Sequence, residues 1–279
     1  MRSLPENFDP EAVIEIDRRL AAVESDEKAV VALAIESGSR AWGFPSPDSD
    51  YDCRFVFVRS FDETLTLFPR RDVIETPLTP IIDVNGWELS KALKLMLAGN
   101  AVIVEWLTSP IVYKVNPDFR TAFLSLANDV CDRNGIARHY FYLARNQFER
   151  SIGDGQGVAI KKVFYALRPL MALKWLRLHP RERIAPMHFP TLCRAVDLSN
   201  DLSVELESLM QRKAETREMG QGNVSDVIMT FLKKELSSAE NNLTQQSKVD
   251  DDVMENRERA DAFWRHWLNA LYCDRNALR

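Results

Sequence analysis

Acidic residues at two points of the sequence have the spacing of a metal site. Asp50 and Asp52 lie two residues apart at the start of the segment 52–58, which alternates like a β-strand. Side chains two apart on a strand point the same way, so both carboxylates would share one face. Asp83 stands inside the apolar segment 81–84, where a carboxylate is costly unless it binds a cation. Oxygen ligands in this pattern are typical of one or two Mg²⁺ ions.

A glycine–serine pair stands between the first predicted strand and these acids. The apolar run 29–35 predicts a buried strand, and Gly38 and Ser39 follow it. Glycine lets the backbone come close to a ligand. Free N–H groups at the start of a short helix, with the Ser39 hydroxyl, would face a phosphate. Together with the acids this predicts in-line attack on an α-phosphate, clamped by two Mg²⁺ ions ~4 Å apart, with Mn²⁺ as the alternative ion.

Each of these features alone has an ordinary structural interpretation. A glycine–serine pair is commonly a turn, Asp-x-Asp is commonly a solvated loop, and Asp83 could cap a helix that begins near Trp87. Calcium is excluded, although residues 48–52 match the start of an EF-hand loop. That loop requires Gly at its sixth position and Glu at its twelfth, where this sequence has Cys53 and Arg59.

The surrounding sequence predicts two structural halves. Up to about residue 100 the pattern is mixed, with a helix from Asp9-Pro10, strands at 29–35, 52–58 and 81–84, a weaker strand near 64–67, and a helix at 87–97. Helical periodicity then dominates, at 117–130, 135–152, 157–178, 202–216, 224–246 and 254–275. We therefore predict an α/β head with a small mixed sheet over residues 1–115 and an all-helical domain over 116–279.

Composition limits the class of protein. Apolar residues make up 46% and charged residues 28% of the 279, which excludes a disordered chain. No apolar run reaches the ~20 residues of a membrane helix. The N-terminus turns polar at once, and the four cysteines form no CxxC pair. These features predict a cytoplasmic protein with no membrane partner.

A basic segment lies in the middle of this acidic chain. The net charge is −5, yet residues 138–183 contain ten basic and three acidic residues. Such an excess is typical of a recognised anion, or of a solvated helix face. Within it, Lys161, Tyr165 and Arg168 share one helix face, with Lys162 beside them. Pro169 should kink or end that helix and so aim Arg168 inward.

The order of these motifs resembles the DNA polymerase β-type nucleotidyltransferase superfamily, with its Gly-Ser turn, spacer, Asp-x-Asp and third acidic strand residue. A closer resemblance is to a bacterial and phage family of predicted nucleotidyltransferases linked to RNA repair. The segments that carry this likeness are Gly38–Gly43, Ser49–Asp52, Asp83 with Gly86–Leu89 and Lys91, Glu105–Tyr113, and Tyr165–Leu170.

The resemblance implies an enzyme that moves a nucleoside monophosphate from an NTP to an acceptor hydroxyl and releases pyrophosphate. It implies three groups of site residues. Asp50, Asp52 and Asp83 would hold Mg²⁺. The triphosphate would lie on Gly38, Ser39 and Arg40. A helical domain would close the cleft, with Lys161, Lys162 and Arg168 over the β- and γ-phosphates and Tyr165 near the base.

The sequence does not choose between three acceptors, which are an RNA 3′ end, a protein hydroxyl and a small molecule. The subfamily and the basic segment favour RNA, while the acidic total argues against a broad grip on RNA. A non-catalytic module that binds a nucleotide or partner, as an antitoxin or sensor does, is the main rival. Clustered carboxylates favour the enzyme, because a binder gains nothing from their mutual repulsion. A drug-modifying nucleotidyltransferase is the third alternative.

Overall fold

A five-stranded mixed sheet organises the first half of the chain. The structure is a computed structural model that describes residues 2–216, 220–245 and 253–277. The strands are β1 (Ala29–Glu36), β2 (Tyr51–Arg59), β3 (Val73–Glu75), β4 (Ile82–Glu88) and β5 (Val112–Val115). Their spatial order is β3-β4-β2-β1-β5, and β2 and β4 run parallel while the other neighbours are antiparallel. The parallel pair is the one that brings separated motifs side by side.

Five of the described helices accompany the sheet in this first half of the chain. They are α1 (Pro10–Asp26), α2 (Gly38–Trp42), α3 (Phe61–Thr64), α4 (Leu89–Leu97) and α5 (Ala101–Thr108). The predicted start of α1 is confirmed, because the Asp9 side chain accepts a hydrogen bond from the Glu11 N–H and Pro10 opens the first turn. The buried face of α1 covers one side of the sheet.

The second half is almost entirely helical, as predicted. It contains α6 (Pro117–Val130), α7 (Arg133–Gln147) with a π-helical turn (Phe148–Ile152), α8 (Ile160–Leu178), α9 (Phe189–Ala195), α10 (Asn200–Glu215), α11 (Asp226–Gln245) and α12 (Val253–Ala277). Two short strands, β6 (Val158–Ala159) and β7 (Gln221–Gly222), pair antiparallel. No helix in the described ranges is long and apolar enough to span a bilayer.

The two faces of the sheet belong to different apolar clusters. Along β2, Phe55 and Phe57 join the cluster under α1, whereas Val56 and Val58 join a larger cluster that also contains Phe164 of α8. This larger cluster is continuous from the sheet into the helices. The end of β5 at residue 115 agrees with the predicted boundary, but a division into two domains stays a prediction because one core joins both halves.

Some predicted elements are wrong. The weak strand near 64–67 is absent, since this segment pairs with no strand of the described sheet and Leu65 and Leu67 are 66% and 85% exposed. Trp87 and Glu88 end β4, so the following helix begins two residues later than expected. The predicted helix to residue 178 is confirmed, however, because α8 continues through Pro169 to Leu178. Burial of this helix outweighs the lost backbone hydrogen bond. The helices α5 and α9 and the strand β5 were not predicted.

Candidate active site

The glycine–serine turn lies directly against one of the predicted metal-binding carboxylates. β1 ends at Glu36, and Gly38 opens the short helix α2 with a φ of +62°. A Cβ placed on Gly38 would lie 2.1 Å from Asp52 Oδ2. The Ser37 N–H also donates a 2.8 Å hydrogen bond to the Asp52 carbonyl oxygen. Glycine is therefore required here for two reasons, its left-handed φ and the space that the Asp52 carboxylate fills.

Asp83 lies beside Asp52, as its assignment to the next strand predicted. The two residues are paired in the parallel register of β2 and β4. Arg54 Nη2 donates to Asp52 Oδ1 at 2.9 Å and to Asp83 Oδ2 at 2.8 Å. The side-chain amide of Asn85 donates to Asp83 Oδ1 at 3.2 Å. The alternative that Asp83 caps a helix is wrong, because Glu88 occupies the N-cap of α4.

The two carboxylates fit a divalent cation in part. They are hard oxygen donors, and one oxygen of each already approaches the same cationic nitrogen within hydrogen-bonding distance. Within the described residues, however, no three His, Cys, Asp or Glu side chains form a group compact enough to hold a metal ion. Asp50 lies one residue before β2 begins, so the strand geometry that predicted a shared face with Asp52 does not include it, and its role as a metal ligand stays a prediction.

Electrostatics at Asp52 reflect its position between the sheet and the helices. Burial raises the pKa of this carboxyl above its usual range, and the neighbouring charges of Asp50 and Asp83 raise it further. The charges of Arg54 and Lys161 act against these effects and lower the pKa. Lys161 on α8 therefore contributes to the electrostatic environment of Asp52.

Glu36 supports the site from beneath, a role that the sequence suggested but did not fix. Its Oε1 accepts a hydrogen bond from the Asp52 N–H at 2.8 Å, and its Oε2 accepts one from the Tyr113 hydroxyl. The side chain is fully buried, and burial raises the pKa of Glu36 to about 8. The signal in the sequence is a single acid at the end of an otherwise apolar strand. Such a residue needs partners on its neighbouring strands.

The Ser39 hydroxyl is engaged in a buried chain of hydrogen bonds. Ser39 Oγ donates to Ser49 Oγ at 2.9 Å, and Ser49 Oγ lies 3.0 Å from Ser46 Oγ. Lys213 Nζ, buried on α10, donates to Ser46 Oγ at 3.3 Å. A helix of the second half thus contacts the loop before Asp52 through hydroxyl groups.

Arg40 holds the same loop by its backbone. Its Nε donates to the Asp50 carbonyl oxygen at 3.0 Å and its Nη2 to that of Ser49. The guanidinium stacks on the Tyr51 ring, 3.9 Å from its centroid. These contacts fix the backbone that carries Asp50. Contact between Arg40 and a phosphate stays a prediction.

Helix α8 forms the wall opposite the turn. The Tyr165 ring packs edge-on against Trp42 of α2, with centroids 5.7 Å apart, and the amines of Lys161 and Lys162 each lie 5.7 Å from the Tyr165 centroid. Lys161 and Tyr165 are half-buried and Lys162 is exposed. The predicted basic and aromatic residues therefore lie at the junction of the two halves.

Arg168 is directed inward, as predicted, and its side chain is buried. It forms an ion pair with buried Glu105 of α5, and its guanidinium lies 4.3 Å from the Trp42 ring centroid. Both contacts tie α8 to the head beside the glycine–serine turn. A direct contact between Arg168 and a phosphate stays a prediction, while its contribution to positioning Trp42 is visible in the structure.

Comparison with known proteins identifies the family. Residues 13–266 match RlaP, the RNA repair pathway DNA polymerase beta family. The uncharacterised protein YcgL of Bacillus subtilis (strain 168) is 37% identical over 217 residues, which cover 78% of this chain and 82% of YcgL. A nucleotidyltransferase-like protein from Exiguobacterium sibiricum 255-15 is 12% identical, with 82% of this chain and 77% of that chain covered at a TM-score of 0.30, which carries no weight for the fold. The resemblance read from the motifs is thereby confirmed, and the chain belongs to the RNA repair pathway DNA polymerase beta family.

Proposed function

We propose that this protein is a metal-dependent nucleotidyltransferase that transfers a nucleoside monophosphate from an NTP to the 3′ hydroxyl of an RNA and releases pyrophosphate. Family membership supports an enzyme of the general nucleotidyltransferase type. The RNA acceptor is inferred from the description of that family and from the basic segment 138–183. Because the net charge is −5, we expect the protein to recognise one RNA end and not to bind non-specifically along the RNA backbone.

One observation carries the proposal, and it is the juxtaposition of Asp52, Asp83 and Gly38. Two carboxylates that are 31 positions apart in sequence meet in register, and one of them fills the space that a Cβ on Gly38 would need. Acids in contact with a glycine turn at the end of a strand form a place where metal-bound phosphates can approach the backbone closely.

In this proposal Asp52 and Asp83, completed by Asp50, hold Mg²⁺, or Mn²⁺ as the alternative. When bound, the metal lowers the pKa of the attacking hydroxyl and stabilises the departing pyrophosphate. Glu36 fixes the backbone of Asp52 through its N–H group. Arg54 and Asn85 hold the carboxylate of Asp83 by hydrogen bonds from their side chains.

The remaining residues bind the nucleotide. The turn at Gly38 and Ser39 takes the triphosphate, and Lys161 and Lys162 balance its charge from α8, since charge-assisted contacts are the strong ones. Tyr165, already packed against Trp42, borders the base. Ser39 must exchange its hydrogen bond to Ser49 for one to a phosphate.

The test is transfer of a labelled nucleotide. The protein is incubated with Mg²⁺, each α-labelled NTP in turn, and an RNA that ends in a 3′ hydroxyl or, as the control, in a 3′ phosphate. We expect one labelled nucleotide on the hydroxyl-ended RNA and an equal amount of pyrophosphate. Asp52→Asn should lower the rate by ~100-fold or more, because it removes several kcal/mol of metal-dependent stabilisation. Asp72→Asn, at an exposed ion pair with Lys91, is the matched control.

Other outcomes would point elsewhere. Pyrophosphate release that Asp52→Asn and Asp83→Asn leave unchanged would contradict the assignment of the site. A shift in Tm with Mg²⁺ and NTP but without turnover would favour the non-catalytic nucleotide-binding module. Transfer to a small cationic molecule in place of RNA would favour the drug-modifying alternative.

A further inference from the structure

Arg54 is placed where it satisfies both carboxylates at once. It lies two residues after Asp52 on the same face of β2, and its Nη2 bonds Asp52 Oδ1 and Asp83 Oδ2 at 2.9 and 2.8 Å. Its Nη1 is anchored by the carbonyl oxygens of Cys53 at 3.0 Å and Asp83 at 3.1 Å. Four hydrogen bonds to two adjacent strands hold this guanidinium in one position.

The environment makes these contacts strong. The side chains of Arg54, Asp52 and Asp83 are 16%, 21% and 30% exposed, so solvent screens the pair interactions only in part. Without a cation the two carboxylates would repel each other across the strand pair, because they are direct neighbours in the register. Arg54 thus supplies the positive charge that this end of the sheet needs.

We propose that Arg54 and the divalent cation are alternative partners of Asp52 and Asp83, with Arg54 holding the carboxylates until a metal–nucleotide complex displaces its Nη2. This inference rests on the proposed function for the identity of the metal site. Asp52 Oδ1 and Asp83 Oδ2, the two oxygens that Arg54 Nη2 bonds, would hold the ion, so the guanidinium and the ion would compete for the same oxygens. Phosphate oxygens of the nucleotide add ligands to the ion, which favours its entry together with the nucleotide.

The proposal predicts the sign of an effect that an orienting role would reverse. Replacing Arg54 by Gln removes both the competing bonds and a positive charge next to the ion. The protein without nucleotide should then bind a divalent cation at least ~10-fold more tightly than the wild type. If Arg54 instead oriented the carboxylates for the metal, Arg54→Gln would bind it more weakly.

The first measurement is direct binding of Mn²⁺ to the nucleotide-free protein, followed by electron paramagnetic resonance. Wild type, Arg54→Gln and Arg54→Lys are compared. We expect the tightest binding for Arg54→Gln and an intermediate affinity for Arg54→Lys, which keeps the charge but lacks the planar fork. Equal or weaker binding by Arg54→Gln would overturn the proposal. Should Arg54→Gln fail to fold, Arg54→Lys still has to exceed the wild type in Mn²⁺ affinity.

The second measurement is the Tm in EDTA and in Mg²⁺. Arg54→Gln should have a lowered Tm in EDTA that Mg²⁺ restores, because the ion replaces the lost positive charge. Arg59→Gln is the matched control, since Arg59 is a buried arginine at the other end of β2 that also lies between two acids. Its Tm should fall equally in both buffers. A Tm of Arg54→Gln that Mg²⁺ does not raise would contradict the proposal.

Failure of this inference is distinguishable from failure of the proposed function. If the wild-type protein transfers nucleotides but Arg54→Gln gains no Mn²⁺ affinity, only the proposed role of Arg54 is wrong and the proposed function stands. If the wild-type protein releases no pyrophosphate but Arg54→Gln binds Mn²⁺ more tightly, Arg54 does compete with the cation, and the proposed nucleotidyltransferase activity is wrong.

Discussion

Strand β2 has an arginine between two acids at each of its ends, and the two arrangements differ. Near its start, Arg54 bonds Asp52 and Asp83 at 2.9 and 2.8 Å. At its end, Arg59 lies 3.5 Å from Glu27 and 3.8 Å from Glu88, and its side chain is only 3% exposed. The first arginine is tightly bonded and partly open to solvent, whereas the second is sealed in with looser ion pairs.

Solvent access distinguishes the two ends, whereas the count of charges does not. At the sealed end a second arginine, Arg70, lies 3.1 Å from Glu63 and 3.8 Å from Glu27, so two arginines face three acids. At the open end the charges of two cations and three acids likewise meet around Asp52. The paired carboxylates there are 21% and 30% exposed, so a further cation can reach them, whereas the buried arginine of the sealed end only joins segments of the chain. The comparison therefore contrasts an accessible acidic group with a structural clamp on the same strand.

The largest expected effect is at the open end, from Gly38→Ala. The added Cβ would meet Asp52 Oδ2 at 2.1 Å and would also force a φ of +62° on alanine. We expect nucleotide transfer to fall ~100-fold or more, as displacement of a metal-binding group would cause. Gly153→Ala controls for strain, because that glycine has a φ of +54° and nothing within 4 Å of its Cβ. Equal transfer rates in Gly38→Ala and Gly153→Ala would contradict the placement of the site at the open end of β2.

At the sealed end, Arg59→Gln should lower the free energy of unfolding by about 3 kcal/mol, since it removes the buried guanidinium that faces Glu88 and leaves Glu27 with Arg70 alone. The transfer rate of the folded fraction should not change, because Arg59 lies at the opposite end of the strand from Asp52. Urea unfolding and a rate per folded molecule measure the two quantities. A loss of transfer without a loss of stability would contradict the role of a clamp.

Beneath the open end, Glu36 should make stability depend on pH. Its folded-state pKa of about 8 lies above the ordinary value of 4.5, so the folded protein retains a proton that the unfolded chain loses. Stability should therefore fall as pH rises from about 4.5 to about 8, by at most about 1.4 kcal/mol per pH unit. Glu36→Gln should remove this part of the slope. Parallel stability–pH profiles for the variant and the wild type would contradict the prediction.

The smallest expected effect concerns the hydroxyl chain that supports the open end from the second half. Ser49→Ala leaves the Ser39 hydroxyl and the Ser46 N–H without the acceptor that both use. We expect a loss of about 1 kcal/mol in the free energy of unfolding. Exposed Ser25→Ala is the control and should change stability less. Equal free energies of unfolding for the two variants would show that the chain of hydroxyl groups does not stabilise this end of the sheet.

Much of the architecture was predictable because its signals are local. The capped start of α1 and the apolar runs of β1 and β2 carry their own periodicity and turn residues. The strand near 64–67 failed for the complementary reason, since alternation alone does not supply a partner strand. Residues 157–178 were predicted as one helical segment despite Pro169, and α8 is continuous there because the packing of a buried helix outweighs the local propensity of proline.

Site residues divide in the same way. Glycine at position 38 and the acids at 50, 52 and 83 were predicted as site residues from residue type and order, and the structure brings Gly38, Asp52 and Asp83 together. The ion pair of Arg168 with Glu105 and the bridging role of Arg54 were not predicted, because each depends on a partner far away in sequence. Glu105 lies 63 positions from Arg168, and Asp83 lies 29 positions from Arg54. No local pattern contains such pairs.

Residue chemistry and spacing by themselves determined the order of strand, glycine turn and acids, and with it the class of chemistry, since these depend on covalent neighbours and side-chain type. Tertiary structure alone decided which acids meet. The parallel register of β2 and β4 places Asp52 opposite Asp83, and it leaves Asp50 one residue before the strand begins. Hydrogen bonding between strands sets that register, and it couples residues that the chain holds far apart.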